Sequence, residues 1–255
     1  MATALITGGT SGIGAGFARQ LAARGDDLIL VARNPDRLDE VATELKERYD
    51  VAVETISADL AVPDEVQRVA ARLASVEQPV DLLVNNAGFG IRVKLTAEDS
   101  GPHEHGIDVM IRAVLILGAA AGRAMSARRA GTIINVSSTS GFLAMGSYSA
   151  IKAWVTAYSE GLAGELSGTG VTVTALCPGW IRTEFHERAS IRTGSIPEAM
   201  WLDVDDVVAE CLSDAAAGKV ISIPSRRYRF LMFGVRHLPR RWARAASRRM
   251  MSGRH

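Results

Sequence analysis

The chain has 255 residues, of which 47% are hydrophobic and 22% are charged. This composition excludes a disordered chain and fits one large α/β domain or two small ones. Two cysteines, Cys177 and Cys211, cannot form a multi-bridge disulfide framework, and the opening residues MATALITGG lack the charged region of a secretory signal. The sequence therefore predicts a cytoplasmic protein.

The net charge of +1 conceals a strong asymmetry along the chain. After Asp214 there are Lys219 and ten arginines but no acidic residue, a balance of +11. The remaining 18 basic and 28 acidic residues give the rest of the chain a balance of −10. An uneven distribution of charge like this one concerns what the protein binds rather than how it folds.

Short β-branched runs alternate along the chain with longer amphipathic stretches, which predicts alternating strands and helices. In chain order we predict a strand over 4–7, a helix over 13–24, a strand over 27–32, a helix from Pro35, a strand over 51–56, a helix after Pro63, a strand over 80–84, a helix over about 105–127, a strand over 132–136, a helix over about 147–166, a strand over 171–176, a helix over 204–217 and a strand over 220–223. The apolar stretch 113–122 is shorter than the roughly 20 residues that a membrane-spanning helix needs.

This order of elements favours a doubly wound α/β fold with one parallel sheet of about seven strands. The strands are apolar almost throughout, as expected where helices cover both faces of a sheet. No linker divides residues 1–223, which we predict to be one domain. The change of charge near Pro224 sets off residues 224–255 as a basic amphipathic C-terminal extension.

A glycine cluster, TGGTSGIG from Thr7 to Gly14, directly follows the first predicted strand and opens a helix. Gly8 would permit a tight turn, Gly12 a close approach of the backbone to a pyrophosphate, and Gly14 close packing of helix and strand. An ordinary strand–helix turn is the alternative, but the position after the first strand favours a dinucleotide site. The candidate cofactor contacts in this cluster are Gly8, Thr10, Ser11, Gly12, Ile13 and Gly14.

The end of the second predicted strand bears on the choice of cofactor. NAD-binding folds of this type place an acid about 20 residues past the glycines, where it holds the ribose 2′-hydroxyl. Here Ala32 and Arg33 occupy that region, and an arginine can instead pair with a 2′-phosphate. We therefore predict NADP(H), with a solvated arginine as the alternative. Asp59 and Leu60, after the third strand, are candidate adenine contacts, or Asp59 caps a turn before Pro63.

Tyr148 and Lys152 are four residues apart in a predicted helix, so they lie on one face, one turn apart. A free phenol has a pKa of about 10, and a neighbouring ammonium would lower that pKa. Ser138 follows the fifth predicted strand, where its hydroxyl would hold a substrate carbonyl. A Tyr-x-x-x-Lys pair alone is weak evidence, and its value comes from the motifs around it.

Five motifs in order are similar to those of the short-chain dehydrogenase/reductase (SDR) family. They are TGGTSGIG, NNAG (85–88), INVSS (134–138), YSAIK (148–152) and CPGWIRT (177–183), and the resemblance covers about 1–223. It implies a single Rossmann-type domain and reversible hydride transfer between a nicotinamide cofactor and a ketone or secondary alcohol.

The resemblance also implies roles for individual residues. Tyr148 would be the general acid in carbonyl reduction and the base in alcohol oxidation. Lys152 would hold the nicotinamide ribose, and Ser138 would position the substrate oxygen, with Ser137 as the competing serine. Further cofactor contacts are implied at Asn85, Ala87 and Gly88 on the adenosine side, at Pro178 and Gly179 on the nicotinamide wall, and at Ile181 and Thr183 near the carboxamide.

Two departures from the family pattern concern the catalytic region. Ser138 precedes Tyr148 by ten residues rather than the commoner thirteen or so, which predicts a shorter loop and a reshaped substrate mouth. The asparagine that the family usually has in the helix before the fifth strand, where it helps hold a water of the proton relay, is replaced by Met110. A thioether is only a weak acceptor, so a weakly active or non-catalytic dinucleotide-binding protein is the alternative.

The remaining features concern partners. His103 and His105 lack the spacing of a zinc motif, so we predict no metal site. The family places a flap over the substrate at 184–200, which makes Phe185, His186 and Trp201 candidate pocket walls. The tail from Arg226 mixes arginines with large apolar residues, which suits an anionic membrane surface, or a helix covering the cleft or a partner subunit.

No recognition module accompanies the arginines of the tail, so we predict no nucleic acid partner. The apolar tail weakly favours a lipophilic substrate. Family resemblance implies a homodimer or homotetramer built on the two helices that flank the site.

Overall fold

The computed structural model describes residues 2–182 and 197–237 and contains one seven-stranded sheet. Its strands are β1 (Thr3–Thr7), β2 (Asp27–Ala32), β3 (Val53–Ser57), β4 (Leu82–Asn85), β5 (Gly131–Val136), β6 (Val171–Leu176) and β9 (Ile221–Ser222), while β7 (Trp180–Ile181) and β8 (Trp201–Leu202) form a separate small parallel pair. All pairings of the large sheet are parallel, in the order β3-β2-β1-β4-β5-β6-β9. The order reverses between β1 and β4, the place where such sheets open a crevice for ligands.

Helices cover both faces of the large sheet. They are α1 (Gly12–Ala22), α2 (Pro35–Tyr49), α3 (Pro63–Leu73), α4 (Gly101–Ile107), α5 (Ala113–Ala127), α6 (Gly146–Glu165), α7 (Val204–Ala216) and α8 (Arg226–His237). A π-helical turn, Asp108–Arg112, joins α4 to α5, and a 3₁₀ turn, Thr139–Phe142, precedes α6. Ile6 packs with α1, α2 and α7, whereas its neighbour Leu5 packs with α3, α5 and α6. Both faces of β1 are therefore buried, in keeping with the apolar run 4–6 at its centre.

The predicted fold class is confirmed, and most predicted elements lie within two residues of those observed. The longest helical segment begins at Gly101 rather than near His105. Pro102, which fits the first turn of a helix, was a local signal for this start. In the structure the Ser100 hydroxyl donates to Glu104 Oε1 over 2.6 Å. The pair β7–β8 was not predicted, because two-residue strands carry no periodicity.

The helical segment Gly101–Ala127 is longer than the apolar stretch 113–122 suggested. Among the described residues it alone is long and apolar enough to cross a membrane, by length and composition only. More than half of its most apolar window is buried, against β4, β5, α3 and α6. Since the core helix of a soluble protein passes the same test, this is weak evidence for a membrane span.

Helix α8 packs one face onto the sheet domain. Tyr228 and Met232 are buried, and the Tyr228 hydroxyl accepts from the Trp180 amide over 3.0 Å and donates to the Met200 carbonyl over 2.8 Å. A Cβ on Gly179 would meet the Tyr228 ring, so this glycine is needed for the contact. The division at 223/224 stays a prediction, but the first turns of the extension pack against the domain.

Candidate active site

The glycine turn (residues 8–14) connects β1 to α1 at the carboxyl edge of the sheet. Gly8 has a φ of +67° and Gly12 a φ of +54°, left-handed values that favour glycine. The Gly8 amide donates to the Val31 carbonyl over 2.7 Å, which ties the turn to β2. A Cβ on Gly14 would lie 2.2 Å from the Gly8 carbonyl oxygen, so only glycine lets the start of α1 close on the turn.

Two residues that sequence reasoning did not select, Thr7 and Asn86, fasten the NNAG segment to the glycine turn. The Thr7 hydroxyl accepts from the amides of Asn86 and Ala87 over 2.9 and 3.1 Å. Asn86 Nδ2 donates to the carbonyls of Thr7 and Gly8 over 2.9 and 3.1 Å. The second asparagine of NNAG was the available signal.

Asn85 lies between strands rather than at the surface of the groove. Its Nδ2 donates to Asn135 Oδ1 over 2.9 Å, and Asn135 Nδ2 donates to Ser159 Oγ over 3.0 Å. Ser159 in turn donates to the Val155 carbonyl within α6 over 2.7 Å. All three polar side chains are buried, so this chain fixes β4, β5 and α6 relative to one another.

The candidate adenosine side holds Arg33, Asp59 and Leu60. Arg33 is exposed directly after β2, and within residues 2–182 and 197–237 its guanidinium has no ion pair or hydrogen bond. Asp59 Oδ1 accepts from the Ala61 amide over 2.9 Å, the turn-capping alternative for this residue. The Leu60 side chain is buried in the core, which leaves its backbone for any contact with a cofactor.

Ser138, Tyr148 and Lys152 come together at the carboxyl end of β5. The side chains of Ser138 and Tyr148 are hydrogen-bonded, and Ser138 Oγ also accepts from the Ser140 amide over 3.1 Å. Lys152 Nζ lies 5.6 Å from the centre of the Tyr148 ring and donates to the Val136 carbonyl over 2.8 Å. One strand end and one helix face therefore present a hydroxyl, a phenol and an amine to the same space.

Burial dominates the pKa values of this group. It raises the pKa of Tyr148 to about 12, although the hydrogen bond from Ser138 acts in the opposite direction. Burial lowers the pKa of Lys152 to about 8, and the electrostatic effect of Cys177 acts in the opposite direction. The lowering of the Tyr148 pKa by the ammonium of Lys152 stays a prediction, while in the chain alone loss of hydration dominates and the net pKa is raised. At neutral pH the phenol is protonated and the amine mostly charged.

Ser137, the competing serine, points into the structure. It is buried and its hydroxyl donates to the Lys152 carbonyl over 2.7 Å, with Thr156 Oγ1 2.8 Å away. These contacts hold α6 against the end of β5, while Ser138 faces Tyr148. They support Ser138 as the serine that meets a substrate.

Gly141 explains how a short loop can connect Ser138 to Tyr148. A Cβ at this position would lie 2.9 Å from the Lys152 carbonyl carbon and the Ala153 amide nitrogen. The 3₁₀ turn therefore rests directly on the backbone of α6. Sequence reasoning missed Gly141, because a glycine in a loop gives no sign that a helix lies beneath it.

Met110 lies beside the lysine. It is fully buried within the π-helical turn, and a Cβ on Gly88 would lie 3.0 Å from Met110 Sδ and 3.6 Å from Lys152 Nζ. The thioether thus fills the volume next to the amine, where the family usually has an amide. Gly88 itself is exposed, so this corner opens onto the groove.

The segment after β6 forms the other wall. The amide and hydroxyl of Thr139 donate to the Pro178 carbonyl over 3.0 and 3.1 Å. The rings of Trp180 and Trp201 lie 6.1 Å apart, centre to centre. Cys177 is buried at the strand end. The predicted contacts Thr183, Phe185 and His186 lie outside the described residues.

Comparison with known proteins identifies the family. The family model described as short chain dehydrogenase matches residues 2–193. An uncharacterized oxidoreductase from Staphylococcus saprophyticus is 37% identical over 183 residues, which cover 71% of this chain and 78% of the relative. The chain therefore belongs to the short-chain dehydrogenase/reductase family, and it is an oxidoreductase of that family.

Two solved structures are similar over nearly the whole chain. A short-chain dehydrogenase from Sphingobium yanoikuyae in complex with NADPH is 34% identical with a TM-score of 0.83, over 98% of this chain and 94% of that one. A bulky-bulky ketone specific alcohol dehydrogenase from Comamonas testosteroni is 30% identical with a TM-score of 0.79, over 98% and 92% of the two chains.

Proposed function

We propose that this protein transfers a hydride between NADP(H) and a ketone or secondary alcohol, with Tyr148 as general acid and base. The observation that carries the proposal is the meeting of Ser138, Tyr148 and Lys152 at the end of β5. The Sphingobium relative with NADPH and the ketone-specific Comamonas relative support the same class of reaction.

The residues present fit a dinucleotide. The glycine turn has no room for side chains at Gly8 and Gly14, and its backbone precedes the first turn of α1, where free amides favour phosphates. Gly88, exposed beside Lys152, leaves the groove open next to the amine. Besides Tyr148 and Lys152, the residues that would hold the cofactor are Gly8, Thr10, Ser11, Gly12, Ile13, Gly14, Arg33, Asp59, Leu60, Ala87, Gly88, Pro178, Gly179, Ile181 and Thr183. The buried side chain of Asn85 instead joins β4 to β5.

The catalytic side chains would act on the substrate oxygen. When bound, the nicotinamide ring supplies the hydride in reduction and accepts it in oxidation. Ser138 Oγ would orient the carbonyl by a hydrogen bond, and Tyr148 Oη would donate its proton to that oxygen in reduction. The raised pKa of Tyr148 keeps the phenol protonated at neutral pH, which is the protonation state that a general acid needs in carbonyl reduction. Lys152 would bind the nicotinamide ribose through its ammonium.

Arg33 supports NADP(H) over NAD(H). Its exposed guanidinium follows β2, has no protein partner among the described residues and is free to bind a 2′-phosphate. No carboxylate occupies the position where an NAD-binding fold would hold the 2′-hydroxyl.

The test is turnover of NADPH with a panel of bulky, hydrophobic ketones. We expect loss of NADPH absorbance with at least one of them, and a fall in kcat of about a thousandfold or more in Tyr148→Phe with NADPH affinity retained. Tyr158→Phe removes a hydroxyl from the same helix, outside the site, and serves as the matched control. Equal turnover in Tyr148→Phe and the unaltered protein would refute the assigned role.

The side chain at position 110 favours a second candidate function. Met110 replaces an amide with a thioether beside Lys152, so a protein that binds NADPH with little or no catalysis is the alternative. Tight NADPH binding without turnover on any ketone would favour it.

The same proposal includes a cytoplasmic location and a homodimer or homotetramer. Leu115 is partly exposed on the outer side of α5, and Trp154 stacks on Tyr158 with ring centres 4.9 Å apart on the neighbouring α6. An apolar strip across two adjacent helices suits contact between subunits. Sedimentation velocity measures the oligomeric state, and a monomer at micromolar concentration would contradict this part.

A further inference from the structure

The Tyr228 side chain lies between two segments that are separate in the chain. It is buried in the first turn of α8. Its hydroxyl accepts from the Trp180 amide over 3.0 Å and donates to the Met200 carbonyl over 2.8 Å. A Cβ on Gly179 would overlap the Tyr228 ring. The C-terminal extension therefore contributes a side chain to the border of the candidate active site.

The hydroxyl of Tyr228 completes the hydrogen-bond ladder of the β7–β8 pair. In a parallel pair the backbone hydrogen bonds are evenly spaced along the strands, and here the Arg182 amide donates to the Leu202 carbonyl over 3.2 Å. Two residues back along each strand, the corresponding groups are the Trp180 amide and the Met200 carbonyl, which the phenol joins. The hydroxyl thus acts as a spacer that sets the separation of the two segments at this point.

The first turn of α8 is fixed on the domain by polar contacts. Arg229 is ion-paired with Glu210 of α7, and Glu210 Oε2 also accepts from the Ser225 amide over 3.0 Å. Arg227 donates to the Ala199 carbonyl over 2.9 Å, next to the carbonyl that the phenol holds. These contacts give the phenol a defined position relative to the sheet domain.

The segment that follows β6 is also held by the loop that carries Ser138. The Pro178 carbonyl accepts from the amide and hydroxyl of Thr139 over 3.0 and 3.1 Å, and Thr139 directly follows Ser138. Residues 178–180 are therefore fixed at two points, by this loop and by Tyr228. Loss of either contact would let the segment move relative to the catalytic hydroxyls.

We propose that Tyr228 is a positioning residue for the nicotinamide ring. Its aromatic ring packs against Gly179 and its hydroxyl holds the Trp180 backbone. The inference rests on the proposed function, in which Pro178 and Gly179 form the wall beside the nicotinamide. Tyr228 acts through that wall rather than on the substrate itself. The effect on hydride transfer is large, because a displacement of about 1 Å can lower a rate by about a hundredfold.

The experiment compares two ligands in Tyr228→Phe, which keeps the ring and removes the hydroxyl. NADPH carries the fluorescent dihydronicotinamide, whose anisotropy reports how firmly that ring is held. The second ligand, 2′,5′-ADP, carries the 2′-phosphate but lacks the nicotinamide. In the variant we expect the anisotropy of bound NADPH to fall and its dissociation constant to rise by about threefold to tenfold. Calorimetry should show unchanged binding of 2′,5′-ADP, because the adenosine contacts remain.

Turnover of a ketone gives a second measurement. In Tyr228→Phe, kcat should fall by about tenfold to a hundredfold, while the KM for the ketone stays nearly the same. Tyr228→Leu, which removes the ring as well, should enlarge both effects. The matched control is Tyr158→Phe, since that phenol also donates to a backbone carbonyl, that of Leu115 over 3.4 Å, but lies outside the site. It should leave both measurements unchanged.

An equal loss of affinity for the two ligands in Tyr228→Phe would show a general disturbance of the fold and would overturn the positioning role. Unchanged anisotropy and kcat in both Tyr228 variants would also overturn it, while leaving the proposed reaction intact. If the unaltered protein binds neither ligand, the proposed function fails and this inference fails with it. The melting temperature verifies that each variant is folded.

Discussion

The glycine turn and the catalytic helix α6 are built by different means. In the glycine turn, the backbone itself determines the geometry, because Gly14 closes on Gly8 with no space for a single carbon atom. Around α6, polar side chains determine the geometry, through Ser137 on the Lys152 carbonyl and Ser159 on Asn135. The cofactor end thus tolerates no added atoms, whereas the chemical end can exchange one side chain for another, as Met110 shows.

The largest effect is expected in the glycine turn. Gly14→Ala would place a Cβ 2.2 Å from the Gly8 carbonyl oxygen, so we expect NADPH binding to be lost and the free energy of unfolding to fall by about 3 kcal/mol. The matched control is Gly164→Ala in α6, where a Cβ would meet nothing within 4 Å. There we expect a gain of up to about 1 kcal/mol. Chemical denaturation measures both values. Equal stabilities would show that the turn can relax.

Arg33→Ala should weaken NADPH binding by about ten- to hundredfold and leave NADH nearly unchanged, because a charge-assisted hydrogen bond to the 2′-phosphate is lost. Fluorescence titration with each cofactor measures the effect. The control is Arg37→Ala. Arg37 lies on α2, and its guanidinium is already paired with Glu40 of the same helix. Parallel losses for both cofactors in Arg33→Ala would refute the preference for NADP(H).

The lowered pKa of Lys152 predicts a pH dependence of cofactor binding. Since its amine loses a proton as the pH rises through about 8, NADPH affinity should fall by about fivefold between pH 7 and pH 9.5. An arginine introduced in Lys152→Arg does not lose its proton in this range, so the profile should become flat in that variant. A decline that persists in this variant would assign it to another group.

The smallest effect is expected at Met110, where it tests whether the proton relay needs the asparagine that the family usually has at this position. Met110→Asn should raise kcat by about threefold to tenfold if the proton relay is impaired, while burying an amide lowers the free energy of unfolding by about 2 kcal/mol. Met110→Leu keeps the apolar volume and should leave kcat unchanged. If both variants turn over equally, protons take another route.

The contrast between the glycine turn and α6 also explains which parts of the fold and of the site could be predicted from the sequence. Apolar strands and glycines with required left-handed φ values are local properties, so the sheet and the glycine turn were predictable from the order of residues. Asn135 and Gly141 matter because of what lies across from them in space, and nothing adjacent in the chain reveals it. For Asn86 the only signal was its place in the NNAG motif. The family resemblance supplied Ser138, Tyr148 and Lys152. It did not supply the pKa of Tyr148, which depends on how much water the packed chain excludes.

The π-helical turn between α4 and α5 sets the phase of one helix against the other. A π turn holds one residue more than an α turn, so removing a residue from Asp108–Arg112 would rotate everything before it by about 100° relative to α5. Gly106, where a Cβ would lie 2.3 Å from Ile91 Cδ1, would swing away from its neighbour. The extra residue thus determines which side of α4 meets Ile91 while α5 keeps its own packing on the sheet.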